Sequence, residues 1–182
     1  IALQELEGTI IVSEEQTNGK GRIGRKWHSK SKEGIWMSII LKPEMIPQKA
    51  PFITLIAGAS IVKALNNLGI ETTIKWPNDI LLNGKKVTGI LTELQAEADR
   101  VHSIIIGIGM NVNQEQEDFP DELQNKASSL RVEMGEIYPR ERILASILKH
   151  FEVLYFQYME EGFSHIKQLW ESYAISVGKK IT

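Results

Sequence analysis

The chain of 182 residues carries 21 Lys and Arg against 23 Asp and Glu, a formal net charge of −2, with 42% hydrophobic and 24% charged residues. That size and composition suit one soluble domain with a substantial core, and the charge excludes a general nucleic-acid binder, because the basic character is confined to residues 20–32. The absence of cysteine excludes disulfides and thiolate metal sites and suits a reducing compartment, and no apolar run nears the roughly 20 residues needed to cross a bilayer, so a cytoplasmic protein with no membrane partner is expected.

Residues 1–8 read as the last turns of a helix stopped by Gly8. Residues 9–15, rich in β-branched side chains, predict a strand, and the almost wholly apolar residues 35–41 predict another, buried on both faces. Residues 48–68 predict a helix with Pro51 in its first turn and Gly69 at its end. Phe52, Leu55, Ile56, Ala59, Val62 and Leu65 hold its helical spacing, and apolar residues around its other side predict a central, buried position.

Residues 72–76 predict a short strand stopped by Pro77, and residues 80–82 lead into Asn83-Gly84, a strong hairpin signal. A return strand over 85–95, a reversal at 97–100 and a strand over 101–112 complete an antiparallel meander. Gly107 and Gly109 interrupt that last strand, which marks a bulge or something packed close to the backbone. Residues 114–126 are acidic and predict a surface loop. Residues 139–159 predict a long helix whose stripe of Ile143, Ile147, Leu148, Phe151, Leu154, Tyr155 and Tyr158 faces the core; residues 163–173 predict another helix and 178–182 the start of a strand. Strands first and long helices in the middle and at the end give an α+β domain, a mixed, largely antiparallel sheet with helices packed on one face. A chain that opens in a helix and closes in a strand is expected to be part of a longer protein.

The chemistry concentrates in residues 16–27, where Gly19, Gly21 and Gly24 alternate with Lys20, Arg22, Arg25 and Lys26 before Trp27. Gly19-x-Gly21-x-x-Gly24 matches the dinucleotide fingerprint in letters, but that motif needs a helix directly behind it, and loop and then strand follow here. A phosphate loop would require Lys and then Ser or Thr after Gly24; Arg25 and Lys26 stand there. Glycines let a backbone turn and approach a ligand, and successive amides in such a turn can cradle an anion. The four histidines are scattered without ligand spacing, so no protein-built metal site is expected. Cations, amides and a few carboxylates suit phosphoryl or acyl-phosphate chemistry, in which catalysis is mostly positioning and charge stabilisation.

Four motifs stand in order: Gly19-Lys20-Gly21-Arg22-Ile23-Gly24-Arg25-Lys26-Trp27, Lys75-Trp76-Pro77-Asn78-Asp79, Lys86-Val87-Thr88-Gly89-Ile90-Leu91-Thr92-Glu93 and Gly107-Ile108-Gly109-Met110-Asn111-Val112-Asn113. Together they resemble the central catalytic domain of biotin protein ligases, over nearly the whole chain. The resemblance implies the fold shared with lipoate ligases and class II aminoacyl-tRNA synthetases. It implies a catalytic domain over residues 1–177, trimmed at its N-terminus, and the start of a truncated β-barrel at 178–182. By that resemblance the substrates are biotin and ATP with Mg2+, and the acceptor is a lysine of the biotin carboxyl carrier domain of acetyl-CoA carboxylase or a related carboxylase. A homodimer is compatible with it, and nucleic-acid binding is not expected of this piece.

The resemblance also carries roles. Arg22, Lys86 and Asp79 would be catalytic, with Lys86 near the biotin carboxylate and Asp79 orienting or deprotonating the incoming lysine. Gln16, Lys20, Gly21, Arg22, Lys86, Gly89, Gly107 and Gly109 would hold biotin, with Gly89, Gly107 and Gly109 leaving room for its bicycle. Gly19, Arg22, Arg25, Trp27, Asn78 and Asn111 would hold ATP and the adenylate, with Trp27 shielding the anhydride from water. Lys20 stands where the family has Arg, and a lysine lacks bidentate phosphate recognition. The family's segment that grips the ureido group would precede Ile1, so weak or absent ligation is expected of this piece alone. A lipoate ligase or transferase of the same fold, and a non-catalytic biotin-sensing module, are the alternatives.

Overall fold

The computed structural model describes residues 4–175 and 177. Within them the strands β1 (Ile10–Ser13), β2 (Gly34–Leu41), β3 (Thr73–Lys75), β4 (Asp79–Leu82), β5 (Lys85–Ala96) and β6 (Val101–Asn111) form one sheet in the order β1-β2-β6-β5-β4-β3. The helices are α1 (Pro51–Asn66), α2 (Leu130–Met134), α3 (Arg140–Glu161) and α4 (Ser164–Tyr173). All neighbouring strands are antiparallel, and the parallel character expected of a mixed sheet is reduced to the single bridges Ile74↔Ala174 and Lys86↔Ala127. Short reversals connect most neighbours. At the tightest of them Asn83 and Gly84 both take positive φ, 51° and 81°, the type I′ geometry that matches strand twist.

One face of the sheet packs on helices. Alternate residues Ile35, Met37, Ile39 and Leu41 of β2 and Ile104, Ile106, Ile108 and Met110 of β6 meet α1 and α3 in one continuous core. The helix α1 is buried around nearly its whole circumference because the sheet lies on one side and α3 and α4 on the other. Small residues let it approach: a Cβ placed at Gly58 would stand 3.7–3.9 Å from Ile74, Ile90 and Ile80. The stripe of α3 is buried as its period required, with Leu148 packed at the margin.

Two stretches differ from the sequence reading. Residues 4–7 form turns rather than a helix end, because the chain is already captured by the sheet: the Gly8 amide donates to the Ile40 carbonyl (2.8 Å) and the Ile40 amide to Thr9 (2.9 Å). Gly8 does take the left-handed φ of a stop, +80°. Residues 1–3 and the strand expected at 178–182 lie outside the described residues.

The short helix α2 was not legible in the sequence. Its cap is Ser129, fully buried, whose Oγ accepts from the Val132 amide (3.1 Å) and donates to the Gln114 carbonyl (2.6 Å). The Ser129→Ala variant is expected to lose about 1–2 kcal/mol of unfolding free energy, read as a lower denaturant midpoint at unchanged slope.

Candidate functional site

The other sheet face gathers most of the residues singled out in the sequence. Strand register aligns Ser13, Trp36, Gly109, Gly89, Asp79 and Lys75 in one row across all six strands. Gly109 and Gly89 lie side by side in that row and leave a trough in the sheet. The next row places Ser38, Gly107 and Leu91 together. Above these rows lies a groove of about 810 Å3, walled by the loop 14–33 and the loop 112–127. Seven Lys and Arg side chains line it against two carboxylates, Asp79 and Glu93. Such a groove favours anions.

The glycine loop is a small hairpin. Lys20 and Lys26 form an antiparallel bridge, the Gly21 amide donates to Arg25 (2.7 Å) and the Trp27 amide to Gly19 (2.9 Å). A Cβ on Gly19 would stand 2.5 Å from the Trp27 carbonyl oxygen, so the hairpin itself requires glycine there. The amides of Gly21, Arg25 and Trp27 donate within the hairpin, so anion contact falls to the side chains of the Lys and Arg residues around them rather than to a cradle of those N–H groups. The tip is Ile23, at φ 55° and almost wholly exposed, an unfavourable conformation for a β-branched residue.

From this hairpin Arg22 reaches over the groove. Its guanidinium donates to Asn78 Oδ1 (2.9 Å), while Asn78 Nδ2 donates to the Ile90 carbonyl (2.8 Å) and the Ile90 amide returns to the Asn78 carbonyl (3.0 Å). Two motifs 56 residues apart therefore touch, and β5 fixes the second. Lys86 Nζ stands 2.7 Å from Asp79 Oδ1 and 5.2 Å from the centre of the Trp27 ring. Gln16 Oε1 accepts from Ser29 Oγ (2.9 Å) at the start of the loop, and Lys20 and Arg25 line the groove.

The trough is filled by the Trp27 indole. A Cβ on Gly109 would come within 2.6 Å of the indole, and one on Gly89 within 2.8 Å of it and 3.1 Å of Lys86 Cε. These two glycines make room for tryptophan. Gly107 is different: its nearest neighbour would be the Leu91 carbonyl oxygen at 3.4 Å. Trp27 packs edge-on against Trp36, with centroids 6.4 Å apart, and its Nε1 is buried without a hydrogen-bond partner among the described residues.

Asn111 is buried, its Nδ2 donating to Ser128 (3.0 Å) and its Oδ1 accepting from Gln114 (3.2 Å). It fastens the end of β6 to Ser128, the residue before the cap of α2, as well as lining the groove. Sequence reasoning missed the second wall. Phe119, Leu123 and Lys126 line the groove from the stretch read as an acidic surface loop. The signal present was an apolar pair, Phe119 and Leu123, inside an otherwise polar run. Lys75 and Trp76 also line it, and Trp76 lies edge-on to Trp170.

A cationic groove on the open face of an antiparallel sheet, with a glycine-marked floor, defines an α+β protein whose open face favours anions. The model of the biotin/lipoate A/B protein ligase family matches residues 2–111. The chain is 54% identical over 173 residues to the bifunctional ligase/repressor BirA of Bacillus subtilis, covering 94% of this chain and 53% of that protein. It is 31% identical to the biotin--[acetyl-CoA-carboxylase] ligase of Mycobacterium tuberculosis, covering 85% and 56%. The structure of a biotin protein ligase from Aquifex aeolicus, in complex with biotin and ATP, superposes with a TM-score of 0.85 at 32% identity, covering 97% of this chain and 72% of that one. The chain belongs to the biotin/lipoate A/B protein ligase family. It spans about half the length of the bacterial ligases it matches in sequence.

Proposed function

We propose that this chain forms the catalytic core of an ATP-dependent biotin ligase of the cytoplasm. In the first step the biotin carboxylate attacks the α-phosphate of MgATP, forming biotinyl-5′-AMP and releasing pyrophosphate. In the second a lysine amine of a biotin carboxyl carrier domain attacks the mixed anhydride, forming the amide and releasing AMP. Magnesium enters as the counter-ion of the triphosphate, part of the substrate.

The observation that carries this reading is the convergence of Arg22, Asn78, Asp79 and Lys86 over one groove in which cations outnumber acids. Two anions about 4 Å apart repel by roughly 4 kcal/mol at an effective dielectric of 20. Fixed cations remove that barrier before the reaction begins. In this reading Lys86 stabilises the carboxylate and then the α-phosphate, and Arg22 and Arg25 hold the phosphates. Lys20 and Gln16 hold biotin and adenylate at the hairpin, whose tight turn Gly19 and Gly21 permit. Trp27 walls the site against water, with Gly89 and Gly109 behind it and Gly107 on the groove floor beside Leu91. Asp79, paired with Lys86 until the carrier lysine arrives, orients that amine. Asn111 positions the adenylate end.

Biotin-dependent ATP–pyrophosphate exchange by the intact protein tests the reading, with lipoate in place of biotin as the comparison. Exchange with biotin and not with lipoate supports a biotin ligase; exchange with lipoate instead supports the other branch of the family, and none with either leaves a binding module. Arg22→Ala is expected to release biotinyl-5′-AMP about 10- to 100-fold faster, the loss of one charge-assisted contact, measured by stopped-flow displacement; an unchanged rate contradicts the role of Arg22.

A further inference from the structure

The basic run 20–32 and the acidic stretch 114–126 are separate features of the sequence, and the structure joins them. Lys30 Nζ meets Asp118 Oδ1 at 2.6 Å and joins the two loops whose neighbouring residues His28 and Phe119 line the groove. Lys30 lies three residues after Trp27, on the return leg of the loop that carries the glycine hairpin. That leg is also pinned by the Lys32 amide to Glu14 (3.0 Å), and its end at Glu33 accepts from the Asn113 amide (2.7 Å). Asp118 closes the 3-10 turn Gln116–Asp118: its Oδ2 accepts from the Glu115 amide (2.8 Å), and the next residue, Phe119, is buried in the opposite wall. Burial pushes the Asp118 carboxyl up, but the hydrogen bond from Lys30 and that from the Glu115 amide outweigh it and hold the group below its ordinary range. The ammonium of Lys30 is held above its ordinary range, first by that hydrogen bond.

We infer that Lys30 and Asp118 are positioning residues that fasten the two walls of the groove, so that the glycine hairpin and the Phe119 loop order as one unit around the ligand. The pair touches no reacting group in this reading. It acts through Trp27 and Arg22 on one side and Phe119, Leu123 and Lys126 on the other. Its function is to let the part of the ligand held by one wall organise the other wall. The inference rests on the ligase reading for its substrates and not for its geometry.

The test is a double-mutant cycle in the intact protein. Lys30→Met and Asp118→Asn are each expected to raise the KM for ATP about two- to fivefold, the range of a partly exposed ion pair, with kcat changed less than twofold. The double variant should be no worse than the poorer single, and Lys30→Arg should match the wild type. Hydrogen exchange, followed with biotin and ATP present, should be faster in the Lys30→Met variant both in residues 19–27 and in residues 114–126. Asp118 also caps its own turn, so if Asp118→Asn fails to fold, the comparison of Lys30→Met with Lys30→Arg decides. A double variant whose effect is the product of the two singles, or a Lys30→Met variant with unchanged KM and unchanged exchange in the far loop, overturns the inference. A wild-type protein without biotin-dependent turnover defeats the ligase reading instead, and hydrogen exchange in the two loops still tests the pair.

Discussion

Replacing Lys86 by Met is expected to slow biotin-dependent ATP–pyrophosphate exchange by about 10²- to 10³-fold, the usual consequence of removing one preorganised charge from a transition state. Lys86 is preorganised by its backbone. Its amide donates to the Lys126 carbonyl (2.9 Å) and its carbonyl accepts from the Ser128 amide (3.0 Å), so the residue is held from outside β5 as well as within it. Its ammonium sits between Asp79 and the face of Trp27. Both members of the ion pair are partly exposed, so the loss of that pair should cost less than about 1 kcal/mol of stability. The expected pattern is therefore a large rate loss at nearly unchanged Tm. Exchange within threefold of the wild type would remove Lys86 from the mechanism.

Gly109→Ala is expected to weaken biotin binding at least about tenfold, and Gly107→Ala to spare it. The two glycines are two residues apart on one strand and look alike in the sequence. In the structure the added methyl at 109 would lie 2.6 Å from a tryptophan ring, whereas at 107 the nearest atom is 3.4 Å away. The indole cannot give way easily, because Trp36 lies edge-on to it and β2 fixes Trp36 opposite Gly109. Overpacking of this kind costs about 1–3 kcal/mol and would displace Trp27 from the trough, with biotin affinity falling at least about tenfold. Calorimetric titration with biotin, alongside the tryptophan fluorescence of each variant, checks both halves. Equal affinity in the two variants would mean that the position of Trp27 does not shape the site.

Most of the strands and both long helices were legible because each carries a local signal: the apolar run of β2, the Asn83-Gly84 turn, Pro51 at the first turn of α1, the 3.6-residue stripe of α3. The turns at 4–7 and the helix α2 were not, since pairing of Gly8 and Thr9 with β2 decides the first and one buried serine cap decides the second. The order of the four motifs gave the loops and strand ends that meet at the groove. It could not give the row Trp36–Gly109–Gly89–Asp79, because strand register is a pairing property that no single segment carries. For the same reason the sequence did not show that Gly89 and Gly109, side by side across the strands, accommodate Trp27. The wall at Phe119, Leu123 and Lys126 escaped notice because its acidic neighbours dominate that stretch, and Lys30–Asp118 joins segments 88 residues apart.

The central claim is that the side chains of one hairpin and one strand hold two mutually repelling anions together. A crystal structure of the intact protein with biotinyl-5′-AMP measures it directly, through the distances from the Arg22 guanidinium and Lys86 Nζ to the α-phosphate and the acyl oxygen. Both cations within hydrogen-bond reach of the anhydride, with Trp27 against it, is the predicted result. An adenylate bound elsewhere, with Arg22 turned to solvent and Lys86 still engaged only with Asp79, would contradict the account.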